Sequence, residues 1–477
     1  MQFRDIAALA TACALLAPIG AVAAPGSENP KAAAPQATRH SARRPHDSAT
    51  CSGAGTGSFV GGTDSNNAYG LDAAVLAGGT NTVCDDYGAI AAGNQNLIST
   101  MGNDAAVYSF IGAGESNSVT GQDSAIGAGS GSELSGSYSA IGAGIDNVVT
   151  GATGFIGSGF HNVITLSQNA FVGGGDNNQI VGGNNVSPKN AGGMYGVIGG
   201  GYDNTIYGSQ DGFAQYATVG GGNTNMATGT GAAIAGGFKG TASSAYAAVG
   251  GGYGNVASGQ SATVGGGEFN AATGALSSVP GGYHNFARGS ASFAAGYLAE
   301  ALANGDFVWS DESSTTLHVK AAGANQFLAR AAGGVVFYSN AAMTSGVSLA
   351  PGSGAWSNLS DRHMKTGIVG VDDTQILDKV AALPVSEWSY TSERGVRHIG
   401  PMAQDFYAAF GVGEDDRHIT SVDEDGVALA AVKALNTALH SKTASLEARL
   451  AHVEADDAAL RREVRQLLSA VREARTH

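Results

Sequence analysis

Serine and lysine together can cut a peptide bond, and the sequence places Ser360 five residues before Lys365. A serine hydroxyl is a weak nucleophile until a base takes its proton, and a lysine serves as that base only when burial or nearby positive charge lowers its pKa. Residues five apart diverge by about 140° on a helix and lie on opposite faces of a strand. Spacing alone therefore predicts no contact between the two side chains. For them to act as a pair, the backbone must bend between them, or the lysine must come from a neighbouring chain.

A purely structural interpretation also exists for this segment. Ser360 and Asp361 could cap the residues that follow, with Lys365 a solvated charge. The chain around 345–358 is rich in Gly, Ser and Pro, which marks a domain boundary and an accessible place to cut. An Asp372-Asp373 turn, a helix-like segment over 376–383 and the block His398-Ile399-Gly400-Pro401-Met402-Ala403-Gln404 come next.

These motifs, in this order, resemble the endosialidase-type intramolecular chaperone domain found after phage tail spikes, bacterial fibres and myelin regulatory factors. The resemblance implies a Ser360–Lys365 dyad that cuts the Leu359–Ser360 bond once three chains have assembled. It implies no cofactor and no metal. Asp361, Arg362, His363, His398 and Gln404 are candidates for orienting the site or supplying an oxyanion donor, with unassigned roles.

The C-terminal segment carries a heptad pattern, which gives assembly a physical basis. Apolar residues alternate by four and three, and Asp457 occupies one seam position, where it weakens the seam locally. An amphipathic surface helix is the alternative, and heptads alone leave dimer and trimer both open. The seam consists of Leu446, Leu450, Val453, Asp457, Leu460, Val464, Leu467 and Val471.

Upstream, a repeat of 15 residues runs from residue 58 to about 300 and predicts a parallel β-solenoid or β-roll of fifteen turns. With turns starting at 58, 74 and 89, the third residue is aliphatic in most turns and faces a core, as at Leu76. The eleventh residue forms a second inward row, which includes Cys84. Glycines, and asparagines at the ninth position, tolerate positive φ and are expected at the corners.

The repeat resembles the β-roll heads of trimeric autotransporter adhesins, which implies a homotrimer. The head's ligand, a surface glycan or a host-cell molecule, is not indicated by such repeats, because they carry many different surfaces. Acidic residues do not recur in each turn, so a calcium repeat is not favoured. His161 and His284 share a repeat position but come from distant turns, which argues against a common metal site. No acidic cluster indicates a polysaccharide-cleaving head.

Two interpretations are open for the cysteines near the first turns. Cys84 on an inward row favours a buried thiol that packs as a small hydrophobe. A Cys51–Cys84 disulfide is the alternative, and in an oxidising compartment it would stabilise the fold by about 3–4 kcal/mol.

The N-terminus predicts a secretory signal, with Arg4, an apolar run over 6–22 and a cleavage pattern ending at Ala23. The mature chain is therefore expected outside the cell or at its surface. A net charge of -15 disfavours nucleic acid and anionic membranes as partners, and no later segment is long and apolar enough for a membrane helix.

The overall prediction is a mainly β fibre with an α+β chaperone at its C-terminal end. The expected domains are a signal peptide (1–23), a disordered linker (24–50), a β-roll head (51–303), a β neck (304–359), a self-cleaving chaperone core (360–426) and a coiled coil (427–477). An alternative function is a fibre that keeps its trimeric clasp permanently.

Overall fold

The computed structural model describes residues 51, 55–62, 65–99, 107–182, 194–208, 214–393 and 395–475. The predicted signal peptide and linker lie outside these residues. The chain divides into two units, one ending at Ala331 and the other beginning at Ala332. We describe each by itself.

The first unit is a parallel β-solenoid of about fifteen turns, which confirms the predicted architecture. Each turn contributes a short strand to each of two sheets, and equivalent strands of successive turns pair in register. Since the strands are only two to five residues long, the corners take up much of each turn.

The strands of the two sheets have the following bounds. The 18-stranded sheet consists of Phe59–Val60, Ala74–Val75, Ala89–Ile90, Phe110–Ile111, Ala125–Ile126, Ala140–Ile141, Phe155–Ile156, Phe171–Val172, Val197–Ile198, Thr218–Val219, Ala233–Ile234, Ala248–Val249, Thr263–Val264, Ser278–Val279, Gly282–Tyr283, Phe293–Tyr297, Phe307–Ser310 and Phe327–Arg330. The 16-stranded sheet consists of Asn67–Ala68, Thr82–Val83, Leu97–Ile98, Ser118–Val119, Glu133–Leu134, Val148–Val149, Val163–Thr165, Gln179–Val181, Thr205–Tyr207, Met226–Ala227, Thr241–Ala242, Val256–Ala257, Ala271–Ala272, Phe286–Ala287, Ala299–Ala301 and Val319–Lys320.

The predicted register of the second and third turns is wrong by one residue, since both turns start one residue earlier than predicted. Val75 pairs with Val60 and is fully buried, whereas Leu76, predicted inside, is 54% exposed. Ile90 is the inward residue of the next turn. These turns therefore start at 73 and 88, because an Ala-Val-Leu run offers two adjacent aliphatic residues and a strand can bury only one of them on a given face.

The same shift changes the environment of Cys84. Val83 takes the inward position and is fully buried, while Cys84 is half-buried and forms a disulfide with Cys51. The Cα atoms of the two cysteines are 5.6 Å apart, and the bridge spans 33 residues. The buried-thiol interpretation was therefore wrong, and closing this loop contributes about 3–4 kcal/mol.

A ladder of asparagines, buried in every turn but the first, runs along the solenoid at the ninth position. Nδ2 of Asn204 lies 3.0 Å from Oδ1 of Asn178 in the preceding turn, and Oδ1 of Asn204 accepts the backbone N–H and Nδ2–H of Asn225 in the next. Each amide thus satisfies polar groups of the neighbouring turns. The ladder consists of Asn66, Asn81, Asn96, Asn117, Asn147, Asn162, Asn178, Asn204, Asn225, Asn255, Asn270 and Asn285.

The ladder corrects the predicted role of these asparagines. Glycines do form left-handed corners, as at Gly144 with φ of 114°. The non-glycine left-handed residues, however, are the eighth, such as Asp146 (φ 53°) or His161 (φ 53°), and the last of the turn, such as Thr153 (φ 56°), and not the asparagine that follows the eighth. The asparagine is retained for its side-chain hydrogen bonds, because its amide can both donate and accept inside the core.

Replacing Asn204 by alanine should destabilise the solenoid by about 2–3 kcal/mol, because it leaves the buried backbone N–H of Asn225 without its acceptor and removes one of the two donors to the carbonyl of Gly222. The measurement is the unfolding midpoint of the head, followed by circular dichroism. Asn94→Ala is the control, since Asn94 is exposed and should cost no more than about 0.5 kcal/mol. Equal losses in the two variants would contradict the role of the ladder.

The parallel sheets continue beyond residue 303. The strands Phe307–Ser310 and Phe327–Arg330 extend the larger sheet, and Phe293, Phe307 and Phe327 stack in a column with ring centroids 4.5 and 4.9 Å apart. Residues 304–330, predicted as neck, therefore lie in the head sheets. The repeat pattern does not predict these turns, because their paired strands are not 15 residues apart.

The second unit begins with a small antiparallel sheet. Its strands are Val335–Tyr338, Gly346–Leu349 and Trp356–Asn358, with the middle strand paired to both others. Phe337 and Trp356 lie against each other on one face, with ring centroids 5.8 Å apart. We call this sheet the neck sheet.

Three helices follow: α1 (Asp373–Ala382), α2 (Ala403–Phe410) and α3 (Ser421–Ala474). A two-stranded antiparallel pair, Ser386–Trp388 with His398–Gly400, lies between α1 and α2 in the chain. Helix α1 starts three residues before the predicted segment, because the Asp372 carboxylate accepts the N–H groups of Thr374 and Gln375 and caps it. The predicted heptad segment is part of the single 54-residue helix α3.

Candidate functional site

The bond between Leu359 and Ser360 lies directly after the last strand of the neck sheet. Asn358 pairs with Val347, and the Leu359 N–H donates to the carbonyl of Gly346 at 3.2 Å. Leu359 is therefore still tied to the sheet, and Ser360 is the first residue beyond it. The neck sheet holds one side of this bond, while the other side enters a turn.

That turn is a one-turn 3-10 helix over Arg362–Met364. The Asp361 carboxylate caps it by accepting the His363 N–H at 2.9 Å, and the Met364 N–H donates to the Asp361 carbonyl at 3.1 Å. Lys365 ends the turn in an extended conformation, and its N–H donates to the Arg362 carbonyl at 3.2 Å. The chain thus bends sharply between Ser360 and Lys365.

The bend brings the predicted pair together within one chain. Lys365 Nζ lies 2.6 Å from Ser360 Oγ, at hydrogen-bond distance, and both side chains are exposed in the single chain. Of the two possibilities left open by the spacing, the structure shows the bend. A lysine in this position can exchange a proton with the serine hydroxyl once the ammonium has lost its own.

Asp361 and His363 form a second pair within the same turn. Asp361 Oδ1 lies 2.9 Å from His363 Nδ1 as well as from the His363 backbone nitrogen. The backbone hydrogen bond, followed by the side-chain one, lowers the pKa of Asp361 below the ordinary value of an aspartate. Asp361 therefore remains an anion at neutral pH and can hold both donors. Arg362 is the first residue of the turn.

His398 and Gln404 lie on other elements of the same unit. The His398 ring stacks on Trp388 with centroids 4.7 Å apart, and its Nε2 lies 3.3 Å from Glu393 Oε2. Gln404 is the second residue of α2. The structure thus gathers Ser360, Asp361, His363 and Lys365 in one turn, whereas His398 belongs to an aromatic cluster on the two-stranded pair.

The helices supply the buried residues and an ion pair that stabilise this unit. Ala431 and Ala434 of α3 are buried, and Lys433 Nζ of α3 lies 2.5 Å from the Asp373 carboxylate in α1. In α2, Phe406 is buried and lies against Phe410. Sequence reasoning missed the contact of Gly346 with Leu359 and the ion pair of Lys433 with Asp373. Both join residues far apart in the chain, and no local pattern indicates such pairs.

Neither a metal site nor a membrane helix is found in the described parts of the chain. No group of three or more His, Cys, Asp or Glu side chains is placed there to hold an ion. His161 pairs with Asp146 at 3.3 Å on the solenoid surface. No helix of these residues has both the length and the apolar character that crossing a bilayer requires.

Comparison with known families finds a match within this unit. Residues 360–412 match the family described as the chaperone of endosialidase. The match starts at Ser360, spans α1, the two-stranded pair and α2, and stops before α3. Among curated proteins, no relative matched the chain. The chain therefore combines a β-roll head with a chaperone-of-endosialidase domain.

Proposed function

We propose that the chain is a secreted homotrimeric fibre whose C-terminal domain aligns three chains and then cuts itself off at the Leu359–Ser360 bond. The contact of Lys365 Nζ with Ser360 Oγ, 2.6 Å long and next to this bond, carries the proposal. The match of residues 360–412 to a chaperone family supports the assembly role, because chaperones of this family imply a homotrimer. Each domain would direct one assembly and make one cut, in its own chain.

The cutting step follows from the residues of the turn. Neutral Lys365 takes the proton of Ser360 Oγ, which attacks the carbonyl carbon of Leu359. The Leu359–Ser360 C–N bond breaks as the Ser360 nitrogen takes up a proton, leaving an ester between the Leu359 acyl group and Oγ. Water then hydrolyses this ester to the Leu359 carboxylate and the free serine hydroxyl.

Assembly supplies the condition under which lysine acts as a base. Both side chains are exposed to water in the single chain. Burial or nearby positive charge lowers the pKa of a lysine and so frees its lone pair. Packing three chains around the turn would provide both, which links cutting to the completion of the trimer.

The repeats explain why a removable chaperone is useful. Fifteen similar turns can pair out of register, and a nucleus that fixes three chain ends lowers the entropic cost of correct pairing. Once the nucleus is removed, the fibre cannot return to its starting state by the route along which it assembled. Its persistence then depends on the rate of unfolding, which is slow.

Intact mass and denaturing gels of the wild-type protein test the proposal. We expect a C-terminal fragment of 118 residues, counted from 360 to 477, whose first residue is Ser360. The remainder should end at Leu359. A fibre with a permanent clasp would instead give one full-length band, and that result would overturn self-cleavage while leaving the assembly role intact.

The ligand of the head is a separate question. We propose that the head binds a surface glycan or host-cell molecule, and binding assays on the cleaved head are the direct test. Polysaccharide-cleaving activity that persists when Ser360 is replaced would assign an enzymatic function to the head instead.

A further inference from the structure

Asp361 occupies a special place between the serine and the lysine of the site. Its carboxylate and its carbonyl accept the N–H groups of His363 and Met364, at 2.9 and 3.1 Å. These two bonds start the one-turn helix that separates Ser360 from Lys365. Asp361 thus contributes to the turn through both its backbone and its side chain.

Few other interactions hold this turn in the single chain. None of the residues Arg362–Met364 is buried, so hydrophobic packing does not fix their conformation. A single turn of helix is not stable on its own, because the conformational entropy lost in ordering its residues outweighs the free energy of its one or two hydrogen bonds. A capping side chain shifts that balance, since it satisfies an N–H group that otherwise lacks a partner.

The turn also sets the distance between the reacting groups. In an extended strand, residues five apart are separated by roughly 16 Å, with side chains on opposite faces. In the turn, Lys365 Nζ reaches Ser360 Oγ at 2.6 Å. Loss of the turn would therefore separate the base from the nucleophile without changing either residue.

We infer that Asp361 is the positioning residue of the cutting pair, acting through its cap on the 3-10 turn and not by contact with the scissile bond. The inference rests on the proposed self-cleavage. It assigns the carboxylate a geometric task, in which the hydrogen-bond acceptor matters and the negative charge does not.

Two substitutions at position 361 separate these roles. Asparagine caps helices about as well as aspartate, whereas alanine does not. We expect Asp361→Asn to cleave at close to the wild-type rate and Asp361→Ala to cleave roughly 5- to 30-fold more slowly.

The rates are measured in full-length chains by following the 118-residue fragment over time, with assembly of each variant checked on non-denaturing gels. An equal loss of rate in Asp361→Asn and Asp361→Ala would overturn the inference, because the charge would then be the important property. A wild-type rate in Asp361→Ala would overturn it as well.

Amide hydrogen exchange of the segment 361–366 provides a readout that does not depend on cleavage. Protection of the His363 N–H should be present in wild type and Asp361→Asn and lost in Asp361→Ala. If wild type shows this protection but does not cleave, the proposed self-cleavage fails while the capping role stands. If protection is the same in all three proteins, the capping role fails.

Discussion

Lys365→Arg should abolish formation of the 118-residue fragment, lowering the cleavage rate by at least about 10³-fold. Arginine keeps the positive charge and can still donate to Ser360 Oγ, but it does not lose its proton in proteins. The substitution therefore retains the ion and the hydrogen bond and removes only the base. Fragment yield over days, quantified on denaturing gels, is the measurement.

Ser360→Ala provides the reference for complete loss, because it removes the nucleophile itself. Assembly should be unchanged in both variants, and non-denaturing gels would show this. If Lys365→Arg cleaves at the wild-type rate while Ser360→Ala does not, another group takes the proton of the serine, and Lys365 is not the base.

Leu460→Asp should prevent assembly and, as a consequence, cleavage. Leu460 lies on the apolar seam of α3 and is 59% exposed in the single chain. A carboxylate at this position, one turn from Asp457, would place charges together in the centre of the assembled helices, where burial of an unpaired charge costs several kcal/mol. Sedimentation or light scattering would report unassembled chains.

Ala458→Asp is the matched control for this substitution. Position 458 lies off the seam, two residues away on the same helix, and the change adds the same charge. The control should assemble and cleave at the normal rate. Cleavage in unassembled Leu460→Asp chains would show that the cutting pair does not need the trimer, which would separate the two functions of the domain.

Asp457 already gives the seam one charged position, and its environment shows how the chain tolerates it. Its carboxylate accepts from Arg461 Nε at 2.7 Å, one turn further along the helix. Arg461, which follows the seam residue Leu460, thus supplies a counter-charge for Asp457. Such polar seam positions select register and partner number at a cost in stability.

Much of the fold follows from periodicity in the sequence. The repeat predicts the solenoid because a spacing of 15 residues in most turns returns an aliphatic side chain to the same inward position of each strand. It fails where two neighbouring residues are equally apolar, as with Val75 and Leu76, because only pairing with the adjacent turn decides which of them faces inward. The misassigned environment of Cys84 is a direct result.

The site was predictable only in part, for a different physical reason. Ser360 and Lys365 came from resemblance, and their contact depends on a turn whose stability rests on one carboxylate, Asp361. A local capping pattern of this kind is too common to identify a site by itself. The contact of Leu359 with Gly346 requires the neck sheet, which no local pattern specifies.

The asparagine ladder has a mechanical consequence, since it is not continuous. Ser132 and Gly240 stand where asparagines would be expected. The Ser132 hydroxyl still accepts the N–H of Asn147 in the next turn at 3.4 Å, whereas Gly240 has no side chain to accept from Asn255. The ladder therefore falls into segments of four, five and three amides, ending at Asn117, Asn225 and Asn285. In a solenoid, turns are coupled mainly to their nearest neighbours, so cooperativity weakens where a rung is missing. Under a pulling force along the solenoid axis, we expect the first separation at the turn of Gly240, where no side chain takes the place of the asparagine.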